Sequence, residues 1–255
     1  YGTVARRYTR AGYAVLAVDW RGQGLSARAL SDPRFGHVGA FTEYQHDVAA
    51  LVDFAKRHDL PGPWYLVAHS MGGCIGLRAL LAGLPIRAAA FSAPMWGVQL
   101  AAREIPLAWS SAFIAPLIGL GGLLTPRTGI EHLVSCGVFA GNNLTTDRER
   151  WDYMKAQIDR YPDLALGGPT LSWLRAALLE TTWLARQPTP ALPAVTFLGT
   201  HERVVSPRAV RRRMACWPGG RLEVVPAAEH EIMMERADVR RRFFEDATAL
   251  FDAHA

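Results

Sequence analysis

The stretch WYLVAHSMGGCIGLRALLAG, residues 64–83, constrains the fold of this chain more than any other. An apolar run with strand character passes directly into a pattern with helix character, and Ser70 stands at the junction. Ala68 lies two residues before the serine and Gly72 two residues after it. A serine on such a tight turn has a strained backbone, and we expect the small residues to let strand and helix pass closely. The pattern predicts that the Ser70 hydroxyl projects above a parallel sheet.

Strands and helices alternate in two blocks of the chain. The first block has apolar strand patterns at residues 13–19, 64–69 and 86–93, and the second has them at 194–199 and 221–226. Helix patterns follow most of these runs, and a continuous apolar run such as 13–19 is typical of a strand buried on both faces. The alternation predicts an α/β fold, with a parallel sheet covered by helices on both faces.

The region between the two blocks, residues 97–187, has a different pattern. It contains no good strand signal and carries helix patterns at residues 148–161 and 171–186. We interpret this region as a helical cap inserted into an α/β core that consists of residues 1–96 and 188–255.

Charge and cysteine content narrow the class of protein. The net charge is +5, but the arginines are scattered, and the dense groups 211–213 and 240–242 each fall in a predicted amphipathic helix. Without aromatic residues interleaved with the basic ones, these groups indicate solvated helix faces and no nucleic-acid partner. Three scattered cysteines are too few for a disulfide framework or a thiolate metal site. We therefore expect a reducing, cytoplasmic location.

The most apolar run of the chain, residues 110–124, carries no charge. Pro116 and three glycines interrupt it, and it is too short to span a bilayer comfortably. The same residues make it poorly suited to a rigid helix. An uncharged, interrupted run in the cap predicts peripheral contact with a membrane surface.

A nucleophilic serine needs a general base, and the base needs a carboxylate that orients it. His69 adjoins the serine and cannot readily turn back onto it. His230 falls in the loop after the last predicted strand, where the chain order serine, acid, histidine requires the base. Glu202 is the only carboxylate in the loop after the strand at 194–199. No acid follows the third strand, so elimination predicts Glu202 as the orienting group.

Four motifs, in their order along the chain, resemble the α/β-hydrolase superfamily: DWRGQGLS, AHSMGG, GTHERVV and AEHEIMMER. More narrowly, they resemble its lysophospholipase and monoacylglycerol-lipase group. Two motifs within the cap, NNLTTDRERWDYM and LALGGPTLSWLRAA, are similar to the bacterial lysophospholipase branch, so the resemblance covers nearly the whole chain. It implies a serine hydrolase that cleaves carboxylic esters of lysophospholipids or monoacylglycerols through an acyl-enzyme, without a metal or an organic cofactor.

The resemblance also implies a role for each site residue. Ser70 attacks the ester, His230 transfers the proton, Glu202 holds His230, and the N–H of Met71 stabilises the oxyanion. Large apolar side chains near the start of the cap and on its last helix are predicted to line an acyl pocket. These are Met95, Trp96, Trp109, Phe113, Trp173 and Leu174.

Two departures from the family pattern bear on activity. Most members carry aspartate where Glu202 stands, a change that keeps the charge but lengthens the side chain. Most also begin with strands and a His-Gly loop that supplies an oxyanion donor, and nothing in residues 1–12 matches that loop. We therefore expect the central strand between 13–19 and 64–69 to be absent, so that both neighbours expose unpaired backbone edges and the chain alone is weakly active.

Three alternatives remain open at the level of sequence. Peptidases and C–C bond hydrolases use the same triad, whereas members of the fold with an aspartate nucleophile are disfavoured because residue 70 is serine. A catalytically silent fragment or binding module is also compatible with the motifs. Covalent labelling of Ser70 by a fluorophosphonate distinguishes an enzyme from a silent chain.

Overall fold

The computed structural model describes residues 1–126, 128–129 and 133–255, and in this part of the chain a four-stranded parallel sheet forms the centre. The strands lie side by side in chain order: β1 (Tyr65–His69), β2 (Ala88–Ser92), β3 (Ala194–Gly199) and β4 (Gly220–Val225). Their register keeps the carboxyl ends together, since His69 pairs with Ser92 and Ser92 with Phe197. Loops that follow the strands therefore meet at one edge of the sheet.

Nine α-helices lie within the described ranges. They are α1 (Gly2–Arg10), α2 (Tyr44–Arg57), α3 (Met71–Leu81), α4 (Ile105–Leu117), α5 (Leu133–Cys136), α6 (Arg148–Arg160), α7 (Leu171–Leu184), α8 (Pro207–Ala215) and α9 (Ala237–Asp252). The helices α4 to α7 follow β2 and precede β3 along the chain.

Helices cover both faces of the sheet, and the alternation of side chains along each strand separates two cores. On β2, Ala89 and Phe91 belong to one core, which α2, α3, α7 and α8 complete. Ala88 and Ala90 belong to the other core, which α1 and α9 complete. The predicted fold class, a parallel sheet with helices on both faces, is confirmed.

Residues 13–19 form no strand in this structure, and the prediction of a strand buried on both faces is wrong here. The expected lack of pairing with β1 is observed, since β1 pairs only with β2 in the described ranges. Val15, Leu16 and Val18 are 40%, 37% and 36% exposed. A strand needs partners for its backbone N–H and C=O groups, and an apolar pattern alone does not supply them.

The predicted helices between β2 and β3 correspond closely to α6 and α7. The run at 110–124 behaves differently from its prediction, because its first half is helical and belongs to α4. Pro116 interrupts one backbone hydrogen bond, but it stands next to the end of the helix, where the loss affects only the last turn. The helix α4 packs against α7 through an apolar cluster around Ala112.

Candidate active site

Ser70 occupies a tight turn between β1 and α3. Its φ of +49° and ψ of −120° form a combination that residues other than glycine seldom adopt. The Ser70 N–H donates to the carbonyl of Ser92 at 3.1 Å, and the Ser70 carbonyl accepts from the N–H of Met95 at 2.8 Å. Backbone bonds to the end of β2 and the loop after it thus hold the strained turn in place.

The close contacts of α3 lie at glycines other than the predicted Gly72. A Cβ added at Gly76 would lie 2.9 Å from the side chain of Leu66, and one at Gly73 would lie 2.8 Å from the Cα of Pro94. At Gly72 the nearest atom, on Trp20, would be 4.0 Å away. The motif predicted the correct kind of junction, but the position where a backbone contact requires glycine is Gly73 and not Gly72.

His230 lies between Glu202 and Ser70. Its Nδ1 is 2.8 Å from Oε2 of Glu202, and its Nε2 is 2.9 Å from Oγ of Ser70. The other carboxylate oxygen of Glu202 accepts the N–H groups of Val204 and Val205, at 2.7 and 3.0 Å. The side chains of His230 and Glu202 are 4% and 0% exposed. The structure thus brings the three predicted residues together in a buried hydrogen-bonded series.

The Glu202 carboxyl is held in its charged form. Burial raises its pKa, but the hydrogen bond from His230 and those from two backbone N–H groups outweigh burial, and the pKa lies below its usual value. A charged carboxylate requires a proton on Nδ1 of His230, which leaves Nε2 free to accept from the Ser70 hydroxyl. This is the tautomer in which a histidine activates a serine. The longer side chain of glutamate therefore reaches the position that an orienting acid needs.

The loops that carry the acid and the histidine contact each other directly. A Cβ at Gly199, the last residue of β3, would lie 2.1 Å from the carbonyl oxygen of Ala228, so only glycine permits this approach. The N–H of His201 donates to the same carbonyl at 3.0 Å. The N–H of Ala227 donates to the hydroxyl of Thr200 at 2.8 Å. These contacts fix the distance between the two loops.

Glu235 is a buried carboxylate that the sequence analysis missed. It is 0% exposed, and Oε1 accepts the N–H of Glu229 at 2.8 Å and that of Thr146 at 3.1 Å. The N–H of Glu231 donates to the carbonyl of Leu144 at 2.7 Å. Hydrogen bonds thereby connect the segment before α6 to the loop that carries His230. The position of Glu235 just before a predicted helix was a usable signal, because carboxylates there accept backbone N–H groups.

A second histidine–glutamate pair lies beside the first. Nε2 of His69 is 3.1 Å from Oε1 of Glu231, and Nδ1 is 2.9 Å from the carbonyl oxygen of Ser92. The ring centroids of His69 and His230 are 4.7 Å apart. His69 was considered only as a base for Ser70, and the structure turns it to Glu231 instead. Both members adjoin predicted triad residues in sequence, which was the available signal.

Mutual attraction keeps this second pair charged. Burial lowers the pKa of His69, but the Glu231 carboxylate outweighs it, so the pKa lies above its usual value. Burial raises the pKa of Glu231, and the charge of His69 with its hydrogen bond lowers it to about 2. The hydroxyl of Tyr1 also donates to Glu231, at 3.1 Å. The site thus contains an ion pair in contact with the His230 ring.

The N–H of Met71 stands where an oxyanion donor is expected. It is the first amide of α3, and it has no hydrogen-bond acceptor among the residues that the structure describes. Amides in the first turn of a helix lack intrahelical partners and carry the positive end of the helix dipole. The sulfur of Met71 accepts a hydrogen bond from Gln23 at 3.3 Å. No group of three or more described His, Cys, Asp or Glu residues could hold a metal ion.

Three of the six predicted pocket residues share one apolar cluster. Trp109 and Phe113 on α4 stack with ring centroids 5.3 Å apart, and Leu174 on α7 packs against the same helix. These side chains lie between the two helices that come after β2. Their contact with substrate stays a prediction.

The other three predicted pocket residues belong to the main core of the sheet. Met95 and Trp96 are buried, and the indole N–H of Trp96 donates to the carbonyl of Gly73 at 3.1 Å. Trp173 packs against this core with its ring edge toward Phe41, at 5.5 Å. Their contacts are those of core packing.

The sheet order, the turn at Ser70 and the Ser70–His230–Glu202 series together define an α/β-hydrolase architecture. Solved structures agree with this. A monoacylglycerol lipase from Paleococcus ferrophilus superimposes with a TM-score of 0.74 at 18% identity, covering 100% of this chain and 89% of that one. A soluble variant of the monoglyceride lipase from Saccharomyces cerevisiae, solved with a substrate analog, gives 0.67 at 16% identity, covering 93% and 77%.

Comparison with known sequences identifies the family to which the chain belongs. The family model described as "Serine aminopeptidase, S33" matches residues 1–237, and the chain belongs to this family. Lysophospholipase L2 of Escherichia coli K12 is 33% identical over 276 residues, which cover 100% of this chain and 76% of that protein. A probable lysophospholipase L2 of Haemophilus influenzae is 28% identical over 248 residues, which cover 94% of this chain and 75% of that protein.

Proposed function

We propose that this chain is a serine hydrolase that cleaves carboxylic esters of lipid-like substrates, with lysophospholipids or monoacylglycerols as the substrate class. The observation that carries the proposal is the hydrogen-bonded series from Glu202 through His230 to Ser70. The names of the related lysophospholipases and of the structurally similar monoacylglycerol lipases support the substrate class.

In the proposed reaction, Oγ of Ser70 attacks the ester carbonyl carbon while Nε2 of His230 takes the hydroxyl proton. The N–H of Met71 donates to the oxyanion of the tetrahedral intermediate. His230 then returns the proton to the leaving alcohol, and an acyl-enzyme remains on Ser70. Water repeats the sequence and releases the fatty acid. Glu202 stays ionised throughout and stabilises the imidazolium.

We place the acyl chain against the inserted helices. Residues 97–187 act as the cap in this proposal, and the cluster around Trp109, Phe113 and Leu174 supplies apolar surface for a long chain. Pockets for such ligands are lined mainly by apolar and aromatic side chains. Met95, Trp96 and Trp173 belong to the main core, which meets this cluster at Val98.

The same cap presents an apolar surface that suits a lipid aggregate. Residues 105–124 contain no charged side chain, and Leu117 is 85% exposed. The other exposed large apolar residues of this run are Ile105, Leu107, Ile114, Ile118, Leu120 and Leu123. So many exposed large apolar side chains in one short run are uncommon on a surface without a partner. No helix in the described ranges is long and apolar enough to cross a membrane. The contact that we propose is a peripheral one.

Chemical labelling and turnover test the reaction. A fluorophosphonate should label wild-type protein on Ser70, and Ser70→Ala should lower ester turnover by on the order of 10³-fold or more without changing the melting temperature. Glu202→Gln should also impair turnover strongly while keeping the fold. Ser110→Ala, which removes an exposed hydroxyl on α4, serves as the control. Esterase activity that survives in pure Ser70→Ala protein would show the mechanism to be wrong.

A substrate panel separates the candidate activities. Monoacylglycerols, lysophospholipids and p-nitrophenyl esters represent the proposed class, and aminoacyl p-nitroanilides represent the peptidase reaction that the family description names. We expect turnover of the esters, with preference for long acyl chains, and little turnover of the anilides. Preference for the anilides would replace the ester proposal with a peptidase.

The membrane contact has a separate test. We expect activity on long-chain esters to rise when the substrate passes from monomers to vesicles. Leu117→Gln combined with Ile118→Gln should remove most of that rise and leave the rate on soluble short-chain esters unchanged. Phe54→Gln, at an exposed position on α2, is the matched control. Equal rates on monomers and vesicles for the wild type would count against the contact.

A further inference from the structure

A cleft of about 400 Å³ lies between α1, α6 and α9, and its lining includes none of the three triad candidates. Six arginines line this arginine cleft, and no acidic residue does. Three come from α1, one from α6 and two from α9: Arg6, Arg7, Arg10, Arg150, Arg240 and Arg241. The sequence predicts that the group at 240–242 lies on a solvated helix face. Two of those arginines instead share a cleft with residues more than two hundred positions earlier in the chain.

Carboxylates neutralise few of these positive charges, although the guanidinium groups of Arg7 and Arg150 face the rings of Phe244 and Tyr153. Arg240 pairs with Asp147 at 2.8 Å. Arg241 is 4.0 Å from Glu245, and the side chains of Arg241 and Glu245 are both exposed. The other four arginines have no ion-pair partner in the part of the chain that the structure describes. Like charges gathered in one cleft repel each other, more strongly where the surroundings exclude water. A bound anion would relieve this repulsion.

Arg150 gives an independent indication of an absent partner. Its Nε is buried and makes no hydrogen bond with the described residues. A buried donor without an acceptor is costly, so native proteins seldom leave one unsatisfied. On α1, Arg6 and Arg10 are four residues apart, which places both side chains on one helix face. Ligand oxygens in the cleft would meet donors from two sides.

We propose that the arginine cleft binds a phosphate group with two or more negative charges, as in a phosphomonoester or a diphosphate. The planar guanidinium donates two parallel hydrogen bonds to phosphate oxygens, and several arginines together match a multiply charged group. Met233 and Phe244 add apolar wall to the same cleft, where an attached organic group can pack. A soluble phosphate ester and a lipid headgroup such as that of phosphatidic acid both offer this chemistry. The site is independent of ester hydrolysis at Ser70.

Calorimetric titration of the full chain with inorganic pyrophosphate tests the site. The variant combining Arg6→Gln and Arg10→Gln removes two exposed charges that make no ion pair in the described ranges, so its fold should persist. We expect its affinity for pyrophosphate to fall by about tenfold or more, since each charge-assisted hydrogen bond is worth roughly one tenfold step. The matched control, Arg211→Gln with Arg212→Gln, removes the same charge from exposed positions on α8 and should change the affinity by less than about twofold.

Vesicle sedimentation identifies the source of the phosphate. Vesicles of phosphatidylcholine alone are compared with equal mixtures of phosphatidylcholine and phosphatidic acid. Binding of the mixed vesicles that depends on Arg6 and Arg10 supports a headgroup, and pyrophosphate binding without vesicle binding supports a soluble ligand. The proposal is overturned if neither probe binds in a manner that depends on these arginines. It is equally overturned if the α8 control loses as much affinity as the cleft variant.

Discussion

Two histidine–glutamate pairs share a small volume at the candidate site, and they differ in what they contact. His230 reaches both Glu202 and the Ser70 hydroxyl, whereas His69 reaches Glu231 and the end of β2. Glu231 follows His230 in sequence, and its carboxylate contacts the His69 ring. The His69 ring in turn lies 4.7 Å from the His230 ring, centroid to centroid, so at the residue scale the second pair supports the first by packing.

The His69–Glu231 pair should contribute less to the stability of the protein at both high and low pH. The pKa of His69 in the folded protein lies above its ordinary 6.5, so this contribution is complete below that pH and lost as pH rises through the raised pKa. The pKa of Glu231 is lowered from 4.5 to about 2, so its contribution is present above 4.5 and lost as pH falls toward 2.

Glu231→Ala should therefore destabilise the protein by about 3 kcal/mol near pH 6, because it leaves the buried charge of His69 without a partner. Raising the pH above 6.5 should lower the melting temperature of the wild type more than that of the variant. Lowering the pH from 4.5 to 2 should do the same. Thermal unfolding across pH measures both, with the exposed Glu149→Ala as control. Parallel pH curves for wild type and Glu231→Ala would contradict the ion pair.

At the scale of elements, the segment before α6 and the loop before α9 act as one unit through Glu235. The hydroxyl of Thr146 donates to this carboxylate, as do the N–H groups of Thr146, Glu229 and Arg236. The hydroxyl of Thr145 donates to the carbonyl of Met234 at 2.8 Å. The loop that holds His230 is thus fastened on the side opposite its attachment to β4.

Glu235→Ala should cost about 3 kcal/mol of unfolding free energy, because it leaves several buried donors without an acceptor. It should also reduce ester turnover, since the His230 loop loses a fixed support. Urea denaturation gives the first quantity, and Glu245→Ala on the exposed side of α9 is the control. An unchanged denaturation midpoint in Glu235→Ala would show that the carboxylate does not join the two elements.

Sequence patterns predicted the elements well where local and tertiary preferences agree. The periodic helices α6 and α7 end within two residues of their predicted limits, and the strand–serine–helix junction lies where the motif indicated. The run at 13–19 has the most regular strand composition, yet a strand also requires a hydrogen-bonding neighbour, which composition cannot supply. Likewise, Glu235 and the His69–Glu231 pair depend on contacts between distant segments, so spacing alone did not reveal them.

At the scale of the whole molecule, neither the run at 13–19 nor the outer edge of β1 has a strand partner among the residues that the structure describes, and each is open to self-association. Backbone groups on both, together with exposed Val15, Leu16 and Val18, offer a template for pairing with another extended chain. We expect this 255-residue chain to self-associate as its concentration rises.

Leu16→Lys with Val18→Lys should shift the chain toward monomer, because charges on an open edge oppose pairing. Sedimentation velocity over a concentration series measures the change. Phe54→Lys, an equally exposed apolar position on α2, should not reproduce it. A wild-type chain that remains monomeric at every concentration would show that this surface does not drive association.

The insertion between β2 and β3 connects two neighbouring parallel strands, so it leaves the sheet at the carboxyl end of β2 and re-enters it at the amino end of β3, where Ala194 pairs with Ala89. Both ends are anchored to the sheet whatever lies between them, and lengthening such a connection costs little, about 0.6 kcal/mol for each doubling. In evolutionary terms, residues 97–187 can be exchanged or remodelled while the sheet and the loop after β2 keep the geometry of the reacting groups. The segment that contacts Glu235 is the exception. Homologues with a new specificity would have to keep Thr145 and Thr146, or replace the support that these residues give to the loop that carries His230.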